Sequence, residues 1–298
     1  MLGAKTRHFL GKVLRNRPLD LPGMVVRRLV EAARSAPEGL AAARFGDVVF
    51  PVDTTLHAIA RKYYFRTHEM FLEPIFRRHL ARGSVFVDIG ANMGYWSAFA
   101  ASLVGPEGEI HAFEPVPAFH RSLERLRDAN PRHRIHAHRM ALGAAPGRLD
   151  MAVVRPTAAN FANFDTNIGS SSLLPGFLDH AAELTETIPV PVTTFDAAAA
   201  ELGIDLDRIG LVKLDVEGYE WACFDGMKNL LEKPGRKVPI LCEVLTDTAR
   251  SEWLDGPRVV RRLERLGYVC LDATTLAPID TAAMAFEENV LCVDPREA

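Results

Sequence analysis

The sequence predicts an α/β protein built on a doubly wound, mostly parallel sheet, and three observations point that way. Ser84–Ser97 (SVFVDIGANMGYWS) joins a short apolar, β-branched run to a glycine turn and then to an apolar helical run. That is the strand–turn–helix junction of a nucleotide-binding α/β unit. A second run, Glu109–Phe113 (EIHAF), ends in the acid Glu114, about 20 residues beyond Gly94, where such folds place a ribose-binding carboxylate. A third, Ile209–Leu214, ends in Asp215, and strands of one parallel sheet bring their carboxyl ends to the same crevice.

The whole chain agrees with this architecture. Its 298 residues, 48% of them apolar, supply a sizeable core. We divide them into an N-terminal helical and hairpin extension, 1–80, and an α/β domain, 81–298. A net charge of −3, with no basic tract interleaved with aromatics, argues against a nucleic-acid partner. Four scattered cysteines without a C-x-x-C pair read as reduced core residues, and no apolar run reaches membrane-spanning length. With no signal-peptide pattern at the N-terminus, the expectation is a cytoplasmic protein.

Residues 1–36 read as two short basic amphipathic helices broken around Pro18–Gly23. Such a face packs on the domain, joins two subunits into a homodimer, or lies peripherally on an anionic membrane. Phe45–Val52 (FGDVVFPV) carries a turn signal inside a β-rich run and predicts a hairpin or edge strand. Thr54–Leu80 has apolar residues at three-and-four spacing, predicting helices interrupted near Pro74, with Tyr63, Tyr64 and His68 set for core packing or substrate contact.

After the acid, Pro117–Ala129 is amphipathic and ends at Asn130 and Pro131. Arg134–Leu142 reads as the third strand. His133, His136 and His138 alternate along it, and without a nearby acid they read as a polar strand face rather than metal ligands. Gly147–Val154 and Thr187–Phe195 are β-rich and flank a polar insertion where a helix is normally expected. Phe195–Leu206 then reads as a helix, Ile209–Leu214 as the fourth strand and Val238–Val244 as the fifth. Arg258–Leu266, Tyr268–Leu271 and Asn289–Val293 supply a last helix and an antiparallel pair.

The loop chemistry selects the ligand. A dinucleotide fingerprint needs three glycines; here Gly90 takes the first place, Asn92 the second and Tyr95 the third, so a pyrophosphate is disfavoured. Asp88 at the strand end suits a ligand ammonium, as in S-adenosylmethionine. Asp88, Gly90, Asn92, Gly94, Glu114, Ala141 and Asp215 form the candidate cofactor set. Ala141 lies where backbone and a small side chain close an adenine pocket.

DIGANMGYWS (88–97), AFEPVP (112–117), MALG (140–143), VTTFD (192–196), VKLDVEGYEW (212–221) and ILCEV (240–244), in that order, resemble the FkbM family of S-adenosylmethionine-dependent methyltransferases. The resemblance implies a Rossmann-like class I methyltransferase fold, with a seven-stranded mostly parallel sheet, over the domain from 81 to 298. It implies O-methylation of a small-molecule or glycan acceptor, a sugar or polyketide hydroxyl. It also places a Gly-Ser-rich block near the active site, making Asn167, Ser171 and Ser172 candidates for holding the acceptor, with Ser170 beside them. An alcohol needs a base within reach, and Asp215, Glu217 and Glu243 are the candidates, with His180 weaker. No metal ligand is assigned. The alternatives are a metal-assisted O-methyltransferase using Asp215 and Glu243, and a noncatalytic adenosine-ligand-binding protein.

Overall fold

The computed structural model describes residues 21–57, 59–154, 171–176, 178, 185–249 and 251–298. Its centre is a seven-stranded sheet of β3 (Val85–Ile89), β4 (Glu109–Phe113), β5 (Arg134–His138), β9 (Ile209–Leu214), β10 (Ile240–Leu245), β11 (Val269–Asp272) and β12 (Glu287–Val293). Their spatial order is β11-β12-β10-β9-β3-β4-β5. β12 runs antiparallel to β10 and β11, and the other pairings are parallel. This is the Rossmann-like class I methyltransferase fold. The chain builds outward from β3 through β4 to β5 and then returns to β9 on the other side of β3. The β3/β9 junction is therefore the switch point, where open α/β sheets bind ligands.

β3 and β9 are buried along their whole length, as their unbroken apolar runs require of strands covered on both faces. Alternation divides the packing. Phe86, Ile110, Ile135 and Leu211 face one core with Tyr95, Trp96 and Phe99 of α4 (Tyr95–Val104). Val85, Val87, Ile89, Val212 and Leu214 face the other, against α6 (Phe195–Leu202), α7 (Glu220–Asp225) and α9 (Gly256–Arg265). The remaining helices are α1 (Leu21–Ala33), α2 (Ala60–Phe65), α3 (Glu73–His79), α5 (Pro117–Ala129) and α8 (Lys228–Leu231).

The region before the sheet is built into the first core. β1 (Leu40–Phe45) and β2 (Val48–Asp53) form the expected hairpin around Gly46–Asp47. Phe45 and Phe50 pack edge-on to Tyr95. Asn130, which ends α5, donates to the Val49 carbonyl and accepts from its N–H, fastening the hairpin to the domain. α1 touches the rest through Met24 and the Arg27–Glu73 ion pair at 2.6 Å, and leaves Val25, Val26 and Leu29 exposed. No helix among the described residues is long and apolar enough to cross a membrane.

Several boundaries differ from the sequence expectation for physical reasons. The helical break falls at Arg66–Glu69, both with positive φ, while Pro74 sits in the first turn of α3, where its missing N–H costs nothing. α1 is described from Leu21, and the helix expected before it falls outside the described residues. The third strand stops at His138. Ala141–Leu142 (β6) instead pairs with β8 (Thr185–Thr193), which is antiparallel to β7 (Gly147–Val154), so these three strands form a separate sheet. The helix after it ends at Leu202 because Gly203 takes a left-handed φ of 67°.

Candidate active site

The glycine after β3 lets two backbones touch. A Cβ on Gly90 would lie 1.8 Å from the Asp215 carbonyl oxygen, and the Asp215 N–H donates to the Ile89 carbonyl at 3.0 Å. Only glycine fits there, with its φ of 79°. Above this contact opens a cavity of about 240 Å³, bordered by the ends of β3, β4, β9 and β10 and closed by α2 and the segment after it.

Asp88 is buried in its wall. Its Oδ2 accepts from the Ser97 hydroxyl at 2.6 Å, while Oδ1 is buried with no hydrogen-bond partner. Burial raises its pKa, partly countered by Lys213 and Ser97. An unsatisfied buried carboxylate oxygen favours a cationic donor, as the ammonium of S-adenosylmethionine would be. Glu114 is also buried. It accepts from the N–H groups of Asn92 and Val116, both at 2.8 Å, which orients the carboxylate and leaves lone pairs toward the cavity. Burial pushes its pKa up to about 7 against those two bonds. Ala141 lines the cavity beside Met140 and Leu142. The residues present thus fit an adenosyl ligand carrying a positive charge.

Asp215, Glu217 and Glu243 converge, with one carboxylate oxygen from each within 4.8 Å of the others. Glu217 reaches this position with a left-handed φ of 54°, an arrangement uncommon for a non-glycine residue. Burial and the neighbouring Asp215 and Glu217 raise the Glu243 pKa well above the carboxylate range. The sequence reading overlooked the cation of this group. The Lys213 ammonium lies 2.7 Å from Asp215 Oδ2, with its side chain only 5% exposed. Burial alone would lower its pKa, but Asp215, Asp88 and Glu69 overcome that and raise it. Its signal was a lone charge inside the otherwise apolar IGLVKL strand.

Glu69 was also missed. Burial opposes its ionisation, but His68 beside it, at 3.0 Å, and Lys213 bring its pKa down to about 2. The Trp96 indole N–H donates to it at 3.4 Å. Tyr63 and His68 line the cavity and stack against or edge onto Tyr95, whereas Tyr64 does not reach it. Tyr95, in the place a third glycine would take, is buried in this aromatic group.

Two expected binding residues are reassigned. Gly94 does not line the cavity. It faces α5, where a Cβ would come within 2.7 Å of Leu123 Cδ2, so it serves helix packing. Ser172 is buried and committed to the fold, donating to the Glu217 carbonyl at 2.7 Å and accepting from the Leu174 N–H at 3.0 Å. It supports the unusual Glu217 backbone rather than facing an acceptor. Ser171 does line the cavity. Asn167, Ser170 and His180 lie outside the described residues.

The strand order and a crevice lined by a buried strand-end acid, a glycine contact and a second acid define a Rossmann-like methyltransferase. Residues 88–270 match the methyltransferase FkbM domain, and the chain belongs to the FkbM methyltransferase family. It is an S-adenosylmethionine-dependent methyltransferase.

Solved structures similar to it include a Clostridium thermocellum protein provisionally described as an rRNA methylase. That protein is 11% identical, with 74% of this chain and 92% of that one covered and a TM-score of 0.43. Another is Aeropyrum pernix fibrillarin in complex with natively bound S-adenosyl-L-methionine, at 10% identity, 88% and 86% coverage, and a TM-score of 0.38. A third is a Thermotoga maritima S-adenosylmethionine-dependent O-methyltransferase, at 14% identity, 75% and 64% coverage, and a TM-score of 0.34. No curated protein sequence matches the chain significantly.

Proposed function

We propose that the protein methylates a hydroxyl of a small-molecule or glycan acceptor, of the sugar or polyketide type, by in-line displacement with carboxylate assistance. The observation supporting this reading is the convergence of Asp215, Glu217 and Glu243 at the ends of β9 and β10, beside Asp88. S-adenosylmethionine supplies, when bound, a methyl carbon activated by a positively charged sulfur. Asp88 would hold its ammonium, Glu114 its ribose hydroxyls, and Met140 and Ala141 would border its adenine.

The chain's remaining task is to align the acceptor oxygen and take its proton, since an alcohol is a weak nucleophile at neutral pH. Asp215 or Glu217 accepts that proton. Glu243, whose pKa burial and its two acidic neighbours raise, donates a hydrogen bond to the acceptor when it carries its proton. Lys213 fixes the orientation of Asp215. Tyr63, His68 and Ser171 line the cavity and offer polar edges for further hydroxyls.

The test is methyl transfer by the purified protein to a panel of sugar and polyketide acceptors, with S-adenosylhomocysteine affinity measured in parallel. Glu217→Gln should retain affinity while turnover falls; equal losses of both would refute the base assignment. The same three carboxylates favour a second reading, in which a hard divalent cation lowers the acceptor hydroxyl pKa. Activity lost to a chelator and restored by Mg²⁺ would select it, and activity indifferent to a chelator would remove it.

A further inference from the structure

We propose that Glu109, His111 and His136 form a binding site for a borderline transition-metal ion of the Zn²⁺ type, on the sheet away from the crevice. β4 and β5 pair in parallel with Glu109 opposite Arg134 at the amino ends and His111 opposite His136 at mid-strand. Residues two apart on a strand share a face, so Glu109 and His111 stand beside His136. The alternating histidines thus gain the acid their own strand lacks. One potential ligand atom from each of the three lies within 4.8 Å of the others.

The three side chains cluster, and among the described residues Glu109 is the one polar partner that the two ring nitrogens face. His111 is buried, its side chain 3% exposed, and its Nε2 has no hydrogen-bond partner. The Nε2 of His136 is buried and unpartnered too, although the ring as a whole is 43% exposed. Both face Glu109 Oε2, at 3.6 Å and 4.0 Å. In a tetrahedral shell with metal bonds of about 2.0–2.2 Å, ligand atoms stand roughly 3.3 Å apart. Closing the site therefore draws the nitrogens in from 3.6 Å and 4.0 Å and rotates the two rings, now stacked at 19°, until their in-plane lone pairs converge. Leaving two buried imidazole nitrogens unpaired is costly, and a metal satisfies both.

The surrounding groups act as an outer shell. His111 Nδ1 lies 3.2 Å from His138 Nε2, and a proton donated there leaves the lone pair on His111 Nε2. Glu109 Oε1 accepts from Arg134 and Arg208, each at 2.9 Å, which fixes the carboxylate and leaves Oε2 for the ion. The two guanidiniums oppose a cation, but both are partly exposed and screened, which sets the expected affinity in the micromolar range. Two imidazoles and one carboxylate select Zn²⁺, Co²⁺ or Ni²⁺ over Mg²⁺ or Ca²⁺. The exposed side of His136 leaves room for water as a further ligand. Such an ion would pin the edge strand β5 to β4.

The experiment is a titration of the metal-depleted full-length protein with Co²⁺ and then Zn²⁺, followed by calorimetry and visible absorption. One equivalent should bind, with the intense absorption of low-coordinate Co²⁺, its displacement by Zn²⁺, and a rise in Tm on metal loading. His136→Ala, at a half-exposed position, should abolish binding while leaving the metal-free Tm nearly unchanged. Glu243→Gln should leave binding intact. Absence of binding, binding that survives His136→Ala, or binding lost in Glu243→Gln would each overturn the proposal, the last by moving the ion to the crevice.

Discussion

The carboxyl-edge crevice and the histidine-bearing face of β4 and β5 bury opposite kinds of titratable group. At the carboxyl ends of β3, β4 and β10 stand Asp88, Glu114 and Glu243, and burial pushes each pKa up. On β4 and β5, His111, His136 and His138 are pushed down by burial. In both places desolvation drives the group toward its neutral form. Both regions also contain a fixed cation that orients one carboxylate, Lys213 on Asp215 and the Arg134–Arg208 pair on Glu109. An unpartnered polar atom remains at each, Asp88 Oδ1 in the crevice and two imidazole nitrogens on β4 and β5. The difference lies in the partner that satisfies it. Carboxylate oxygens call for a ligand that donates protons and carries positive charge, whereas neutral imidazoles call for a metal.

The largest effects that would sharpen this contrast are catalytic. Asp215→Asn and Glu217→Gln should each lower turnover by about 10²–10⁴, the worth of a general base, while S-adenosylhomocysteine affinity changes far less. Turnover that survives both substitutions would leave the crevice acids without a role in proton transfer.

Next comes the cation at the crevice. Lys213→Met removes the charge shared by Asp215, Asp88 and Glu69 and should destabilise the fold by about 3–5 kcal/mol, the cost of breaking a buried pair. Denaturant unfolding measures it, and an unchanged midpoint would show that the lysine balances nothing.

Asp88→Asn separates folding from binding. Because burial raises the Asp88 pKa, the neutral amide should keep or raise Tm, while calorimetry should show ligand affinity falling by about 10–100-fold through loss of a charged hydrogen bond. Loss of folding instead would show that the carboxylate serves the core.

The smallest effects are in pH, and the two regions should respond with opposite sign. Glu114 rises from 4.5 to about 7, so the folded protein holds the extra proton; this contribution is full below 4.5 and is lost as pH rises through about 7. His111 falls from 6.5 to about 4, so its contribution is full above 6.5 and is lost as pH falls through about 4. Tm followed across both windows should lose its decline between pH 4.5 and about 7 in Glu114→Gln and part of its decline toward low pH in His136→Ala. Identical profiles in the two variants would break the comparison.

The carboxyl-edge site was largely legible because its parts are local. Asp88, Gly90 and Asn92 sit in one turn, Glu114 ends the next strand, and Asp215 and Glu217 share one junction. Lys213 was legible in principle as the lone charge of a buried strand. Glu69 gave no signal, since only the packing of the segment before α3 brings it to Lys213 and Trp96. Gly94 and Ser172 were misread for the converse reason, because their residue types suit a ligand while their actual neighbours are Leu123 and the Glu217 backbone.

The sequence by itself determined the strands of the sheet and the acids at their carboxyl ends, because hydrophobic period, glycine placement and strand-end charge act over a few residues. Tertiary structure alone decided which further groups meet across strands: Lys213 with Glu69, and Glu109 with His111 and His136. Those meetings depend on strand order and register, and register is fixed by the buried faces of the whole sheet rather than by any single segment.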